Sequence, residues 1–272
     1  MQELPELEIY RAVLAERFAG ALITKVAVKQ EKLIQEEDFT LLENEIVGKT
    51  VWFVERRAQH LIFHLDNGKR LLVLVSNSAY VYCSQPEEQE KADASLTLHF
   101  DGRRLSFFGL KAGDIAIMTV KAVEQYMKDR GLDPLDKRFS LIRLKEQFAK
   151  KKSSLKTALM DEKLLSGIGP VYSDEIAFAA GLAPDTKVAS FDEKQWEKLH
   201  HALGSVLRDS ISHGGAGERP LFAGDIFTGG FKERLQVYNR EGETCTRCGG
   251  EIKRGIAGNR KTFACGACQK GE

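Results

Sequence analysis

Two close cysteine pairs, Cys245-x2-Cys248 and Cys265-x2-Cys268, lie 16 residues apart near the C-terminus. Two such knuckles can set four thiolates tetrahedrally around one Zn²⁺ at about 2.3 Å each, so the spacing predicts one structural zinc ion in a ribbon. Gly249-Gly250 follows the first knuckle and Gly266 lies inside the second, where tight turns favour a backbone without a Cβ. Four reduced thiols without metal is the competing reading, and this spacing disfavours it. Between the knuckles lie Lys253, Arg254, Arg260 and Lys261, with Phe263 on the outgoing strand. A hairpin offering these cations can hold phosphates; a solvated basic surface accounts for them equally well. Cys83 stands alone and reads as a buried structural thiol.

The elements that must carry these groups fall into two textures. After an opening helix with Pro5 in its first turn and Leu7, Leu14 and Phe18 at helical spacing, the N-terminal half reads as strands. These are Leu22–Val28, Thr50–Glu55, His60–Leu65, Arg70–Val75, Ser95–Phe100, Arg103–Phe108 and Ile115–Val120. Asp66-Asn67-Gly68 and Asp101-Gly102 are hairpin turns, and antiparallel strands with polar turns suggest a sandwich. The polar, acidic stretch Gln85–Ala94 reads as an exposed loop. Beyond Gly131 helices are expected over Leu141–Lys150, Leu155–Leu165, Val171–Ala180 and Asp192–Ser212, with Asp192 as N-cap. The division is therefore a sandwich domain over 1–130, a helical domain over 131–234 and a zinc-finger domain over 235–272.

Bulk properties exclude some classes. A 272-residue chain that is 43% hydrophobic can bury a real core. No apolar run approaches the roughly 18 residues of a membrane span, and no basic-then-apolar leader opens the chain. A cytoplasmic monomer is the expectation. The net charge of +1 does not announce nucleic acid, but the charge is uneven: residues 1–130 hold 17 Lys+Arg against 20 Asp+Glu, and residues 131–272 hold 23 against 19. Phosphate binding needs a local basic face, not a basic whole.

Met1-Gln2-Glu3-Leu4-Pro5-Glu6-Leu7-Glu8 resembles the N-terminal M-P-E-L-P-E-V-E pattern of the formamidopyrimidine-DNA glycosylase and endonuclease VIII family. Arg56-Arg57-Ala58 is similar to its R-R-A-K segment. Gly167-Ile168-Gly169-Pro170-Val171-Tyr172, running on through Glu175 to Ala180-Gly181-Leu182-Ala183-Pro184, resembles its helix–two-turn–helix signature. Leu235-Gln236-Val237-Tyr238 leads into a ribbon with the family's cysteine spacing. The resemblance is collinear along the chain. It implies an α+β multidomain fold: an N-terminal β-sandwich with flanking helices, a helix–two-turn–helix domain and a C-terminal zinc ribbon, with DNA in the cleft between the halves. It implies that Arg260 is the finger arginine gripping phosphates, that Lys152 and Lys156 lie near the DNA backbone, and that Glu3 and Glu6 are the carboxylates that help open the sugar and support the N-terminus.

The departures from that pattern concern the chemistry. The family attacks the sugar with the secondary amine of an N-terminal proline, forming a Schiff base. Here position 2 is Gln2, and Met1 is expected to stay in place, its amine one residue beyond the point of attack. A displacement of about 1 Å can already cost 100-fold in rate. The lysine after R-R-A is Gln59; the methionine that fills the vacated base position is Ser76. The loop that wedges an arginine and a phenylalanine into the stack is Gly109-Leu110-Lys111-Ala112-Gly113, and the phosphate-binding asparagine is Pro170. The expectation is a protein that binds damaged, bent or branched duplex DNA at the nucleoid through Lys111, Lys151, Lys152, Lys156 and Arg260, with reduced or absent glycosylase and AP lyase activity. The alternatives are an active enzyme with a non-proline amine nucleophile, and an interaction protein that uses its ribbon for a protein partner.

Overall fold

The computed structural model describes residues 2–28, 33, 36–76 and 78–270. Met1, with its amine, lies outside the described residues. The chain divides into two compact units, Met1–Lys128 with His213–Gly230 and Asp129–Ser212 with Phe231–Glu272. Among the described residues no helix is long and apolar enough to cross a membrane.

The first unit opens with α1 (Leu4–Phe18). Glu3 caps it, with Glu3 and Glu6 forming a reciprocal capping box in which the Glu3 N–H donates to Glu6 Oε2 at 2.9 Å. Leu7, Leu14 and Phe18 are buried, as their spacing predicts. Eight strands follow: β1 (Lys25–Val28), β2 (Val51–Arg57), β3 (His60–Leu65), β4 (Lys69–Leu74), β5 (Tyr80–Ser84), β6 (Leu96–His99), β7 (Arg104–Phe108) and β8 (Ile115–Thr119). They form two antiparallel sheets, ordered β1-β6-β7-β5 and β2-β3-β4-β8. Phe63 of one meets Phe107 of the other edge-on at 6.2 Å, so the apolar faces close as a sandwich. Both predicted hairpins are present, Gly68 and Gly102 supplying the positive φ.

Three elements escape the sequence pattern. Strand β5 lies directly against the polar, acidic stretch that begins at Gln85, a context that reads as loop. Helix α2 (Glu36–Ile46) hides a stripe with Leu42 and Ile46 buried among charges. Helix α3 (Val120–Met127) starts where β8 stops, because the Thr119 hydroxyl accepts from the Ala122 N–H at 3.3 Å.

Residues 213–230 join this unit rather than the helical one, where the division by sequence placed them. The Ala216 N–H donates to Glu6 Oε1 at 2.8 Å, and the Cys83 N–H donates to the Leu221 carbonyl at 2.7 Å. Gly215, at φ +70°, lets the chain come this close: a Cβ there would lie 2.7 Å from Glu6 Oε1.

The second unit holds α4 (Leu141–Phe148), α5 (Leu155–Leu159), α6 (Pro170–Ala180), α7 (Glu193–Ser212), β9 (Ile252–Ala257) and β10 (Arg260–Cys265). Helix α5 ends at Leu159, six residues before the expected Leu165, and beyond it the Leu132 N–H donates to the Leu164 carbonyl at 2.9 Å. Helix α6 runs from Gly169 and Pro170 to a left-handed cap at Gly181, and is buried almost all round. Asp192 and Gln195 cap α7 reciprocally. The Tyr172 and Ser210 hydroxyls, 2.6 Å apart, join α6 to α7.

Because both Glu6 oxygens take backbone N–H groups, Glu6→Ala is expected to lower the unfolding free energy of the first unit by about 2–4 kcal/mol, read from urea denaturation. A change under about 0.5 kcal/mol would remove Glu6 from the scaffold.

Candidate functional site

The four cysteines converge. Their sulfurs all lie within 4.8 Å of one another, Cys245 Sγ to Cys268 Sγ at 3.8 Å and Cys248 Sγ to Cys265 Sγ at 3.4 Å. A tetrahedron of metal–sulfur bonds of about 2.3 Å has edges of about 3.8 Å, so the cluster fits one metal ion. Burial, with the neighbouring thiols, pushes Cys268 up to about 12. At Cys245 burial acts the same way, but the N–H groups of Arg247 and Cys248 prevail and bring it to about 7. Four thiols this close cannot all ionise without a cation between them, and an all-sulfur set suits zinc. Gly249, at φ +76°, turns the first knuckle, and the Gly250 N–H donates to Cys248 Sγ at 3.4 Å.

From the second knuckle β10 runs back to a two-residue turn, Gly258 and Asn259, both with positive φ, as a tight hairpin requires. Arg260 is the first residue past this turn and is exposed. The tip rests on α5: a Cβ on Gly258 would lie 2.0 Å from Thr157 Oγ1.

Two neighbouring carboxylates in α6 hold the ribbon. Asp174 Oδ1 accepts from the Thr262 hydroxyl and, at 2.8 Å, from the Lys156 ammonium; Asp174 Oδ2 accepts from the Phe263 N–H at 3.2 Å. Glu175 accepts from the N–H groups of Gln236, Val237 and Tyr238 at 2.8–2.9 Å. Burial pushes both carboxyls above the ordinary range, against the pull of these donors. Phe178, Val237, Ile252 and Phe263 complete a small core with Cys245 and Cys265. An acidic dipeptide inside an otherwise apolar helix was the sequence signal for this anchor.

This arrangement corrects the expectation for Lys156. The residue is 0% exposed, its ammonium shared between Asp174 and the Pro170 carbonyl at 3.0 Å. As placed it is a structural cation. Lys152 is exposed, and half-exposed Lys151 lies 3.3 Å from Asp161.

Residues 1–112 match the formamidopyrimidine-DNA glycosylase N-terminal domain and residues 130–220 match the formamidopyrimidine-DNA glycosylase H2TH domain. The chain is 34% identical over 277 residues to a formamidopyrimidine-DNA glycosylase of Heliobacterium modesticaldum, spanning 99% of this chain and all of that one. The chain belongs to the formamidopyrimidine-DNA glycosylase family. A Cronobacter sakazakii relative of the same name is 33% identical with the same coverage. Among solved structures, the Lactococcus lactis Fpg in complex with abasic-site DNA superposes with a TM-score of 0.89 at 26% identity, over 99% of this chain and 100% of that one.

Gln2, which the sequence aligns with the family's nucleophile, is 5% exposed, and its Oε1 is buried with no hydrogen-bond partner among the described residues. Burial, followed by the Glu6 charge, holds the Tyr10 phenol well above its usual range, so it stays neutral. Glu3 and Glu6 are buried, with Glu6 taken up by N–H groups of Glu3 and Ala216. Arg56, 9% exposed, donates to Glu8 Oε2 at 2.9 Å. Ser76 and Gln59 are half-buried. The turn after β7 is short and self-bonded: the Lys111 N–H donates to Asp114 Oδ2 at 2.8 Å, Leu110 is buried, and the side chains left outside are Lys111 and Ala112.

Lys156→Ala strands a buried carboxylate and is expected to cost the second unit about 3–5 kcal/mol, whereas Lys152→Ala should stay within about 0.5 kcal/mol. Equal, small effects in thermal or urea unfolding would contradict the buried pair. Chelation should release one metal ion per chain, counted by mass spectrometry of the intact protein, and open the ribbon.

Proposed function

We propose that this chain binds damaged or distorted DNA through backbone contacts and has reduced or absent glycosylase and AP lyase activity. One observation carries the reading: position 2 holds glutamine, so no secondary amine can arise there, whichever residue begins the mature chain. The family's Schiff-base route needs that amine. The turn after β7 adds to it. Extruding a base costs a few kcal/mol of unstacking, which side chains filling the gap help offset. The exposed side chains of this turn, Lys111 and Ala112, offer neither the arginine nor the aromatic ring of the family wedge.

Binding is supported from the other side. The relatives are named formamidopyrimidine-DNA glycosylases, and structures of the Lactococcus lactis protein carry abasic-site and N7-benzyl-Fapy-dG DNA. Lys111, Lys151, Lys152 and Arg260 are the cations offered to phosphates, and the four cysteines hold one structural zinc ion.

A second reading, an active glycosylase with a primary-amine nucleophile, draws on the ordered carboxylates Glu3 and Glu6. Borohydride trapping on abasic-site duplex separates the two. No covalent adduct is expected, together with binding whose log K falls by about 0.9 per phosphate neutralised as log salt rises. A trapped adduct at the N-terminus, or multiple-turnover incision of oxidised-purine duplex, would establish the second reading instead.

A further inference from the structure

The zinc knuckles and the hairpin tip are far apart. Arg260 stands five residues from Cys265, the nearest metal ligand along β10, an arm of about 16 Å at 3.3 Å per residue. A two-stranded ribbon is marginal alone, and a tilt of about 5° at the knuckles would move the tip by about 1.4 Å over that arm. A charged hydrogen bond to a phosphate tolerates only a few tenths of an ångström. The metal end alone therefore does not fix the position of Arg260.

The turn itself leans on α5 at Gly258, and a polar brace that sets the strand's rotation lies midway. Thr262 is two residues from Arg260 on the same strand, so both side chains belong to one face of the hairpin. Thr262 pairs with Gly255, and Arg260 with Ala257, on that face. The Thr262 hydroxyl donates to Asp174 Oδ1, and the next N–H, that of Phe263, donates to Oδ2 at 3.2 Å. One carboxylate thus grips the strand by a side chain and a main-chain group at once, which sets both its register and its rotation. Slipping the strand by one residue would turn Arg260 to the opposite face. Lys156, bonded to both Asp174 and the Pro170 carbonyl, fixes the carboxylate to the first turn of α6.

We propose that Asp174 and Thr262 are positioning residues for the DNA contact of Arg260: they aim the hairpin cation and do not touch DNA themselves. The proposal rests on the DNA-binding reading above. Its test uses the full zinc-loaded chain, a duplex carrying a tetrahydrofuran abasic analogue, and Kd measured across a salt series. Thr262→Val keeps the size of the side chain and leaves the Lys156–Asp174 pair intact. It is expected to weaken binding roughly three- to tenfold, the range of one lost hydrogen bond, with a shallower salt slope and an unchanged zinc content. Thr262→Ser should bind as the wild type does.

The deciding measurement is the double-mutant cycle. In an Arg260→Ala background, Thr262→Val should cost less than about twofold, because the cation it aims is gone. Asp174→Asn should follow the same Arg260 dependence; if it does not fold, the Thr262 cycle decides. The same loss with and without Arg260, or no loss from Thr262→Val, overturns the proposal and leaves DNA binding standing. A wild-type chain that binds no DNA form overturns the DNA-binding reading, and this proposal with it.

Discussion

Five hydrogen bonds from the C-terminal segment to two adjacent buried carboxylates, Asp174 and Glu175, hold the second unit in its arrangement. A carboxylate without partners inside a helix as apolar as α6 would be intolerable. Each charge must meet its donors, and only one placement of residues 236–238 and 262–263 supplies them all. The anchor is therefore weak evidence of net stability and strong evidence of a unique docking. Lys156 completes it from the other side, which explains a fully buried lysine in a chain whose other amines mostly face water.

The N-terminal unit uses the same device. Glu6 closes the first turn of α1 and also receives the Ala216 N–H from far along the chain. A carboxylate engaged twice by the main chain is a fixed structural acceptor. Gln2 is buried as well, so the start of the chain is packed into this unit.

Much of this was readable from residue order. The cysteine spacing points to the four-sulfur cluster, Asn-Gly and Asp-Gly mark two hairpins, and alternation marks seven of the eight sandwich strands among the described residues, because each of these signals is local. What stayed hidden was non-local. Nothing near residue 216 announces that its N–H belongs to Glu6, so residue order alone groups 213–230 with α7, which precedes it. Lys156 looked like one more cation in a basic run; its burial depends on Asp174, eighteen positions away, and only a folded chain brings them together. Helix α2 was masked because its apolar stripe is diluted by acidic residues.

The interrupted order of the two units bears on how the polypeptide can assemble. The chain leaves the first unit after Lys128, builds four helices, returns for His213–Gly230, and leaves again for the ribbon. During synthesis the sandwich emerges early, yet its acceptor at Glu6 waits for a partner that follows the whole of Asp129–Ser212. Domains ordinarily fold one after another as they leave the ribosome. Here the earlier one stays incomplete until Ala216 has been synthesised, so its closing contact, with its loop-entropy cost, falls late.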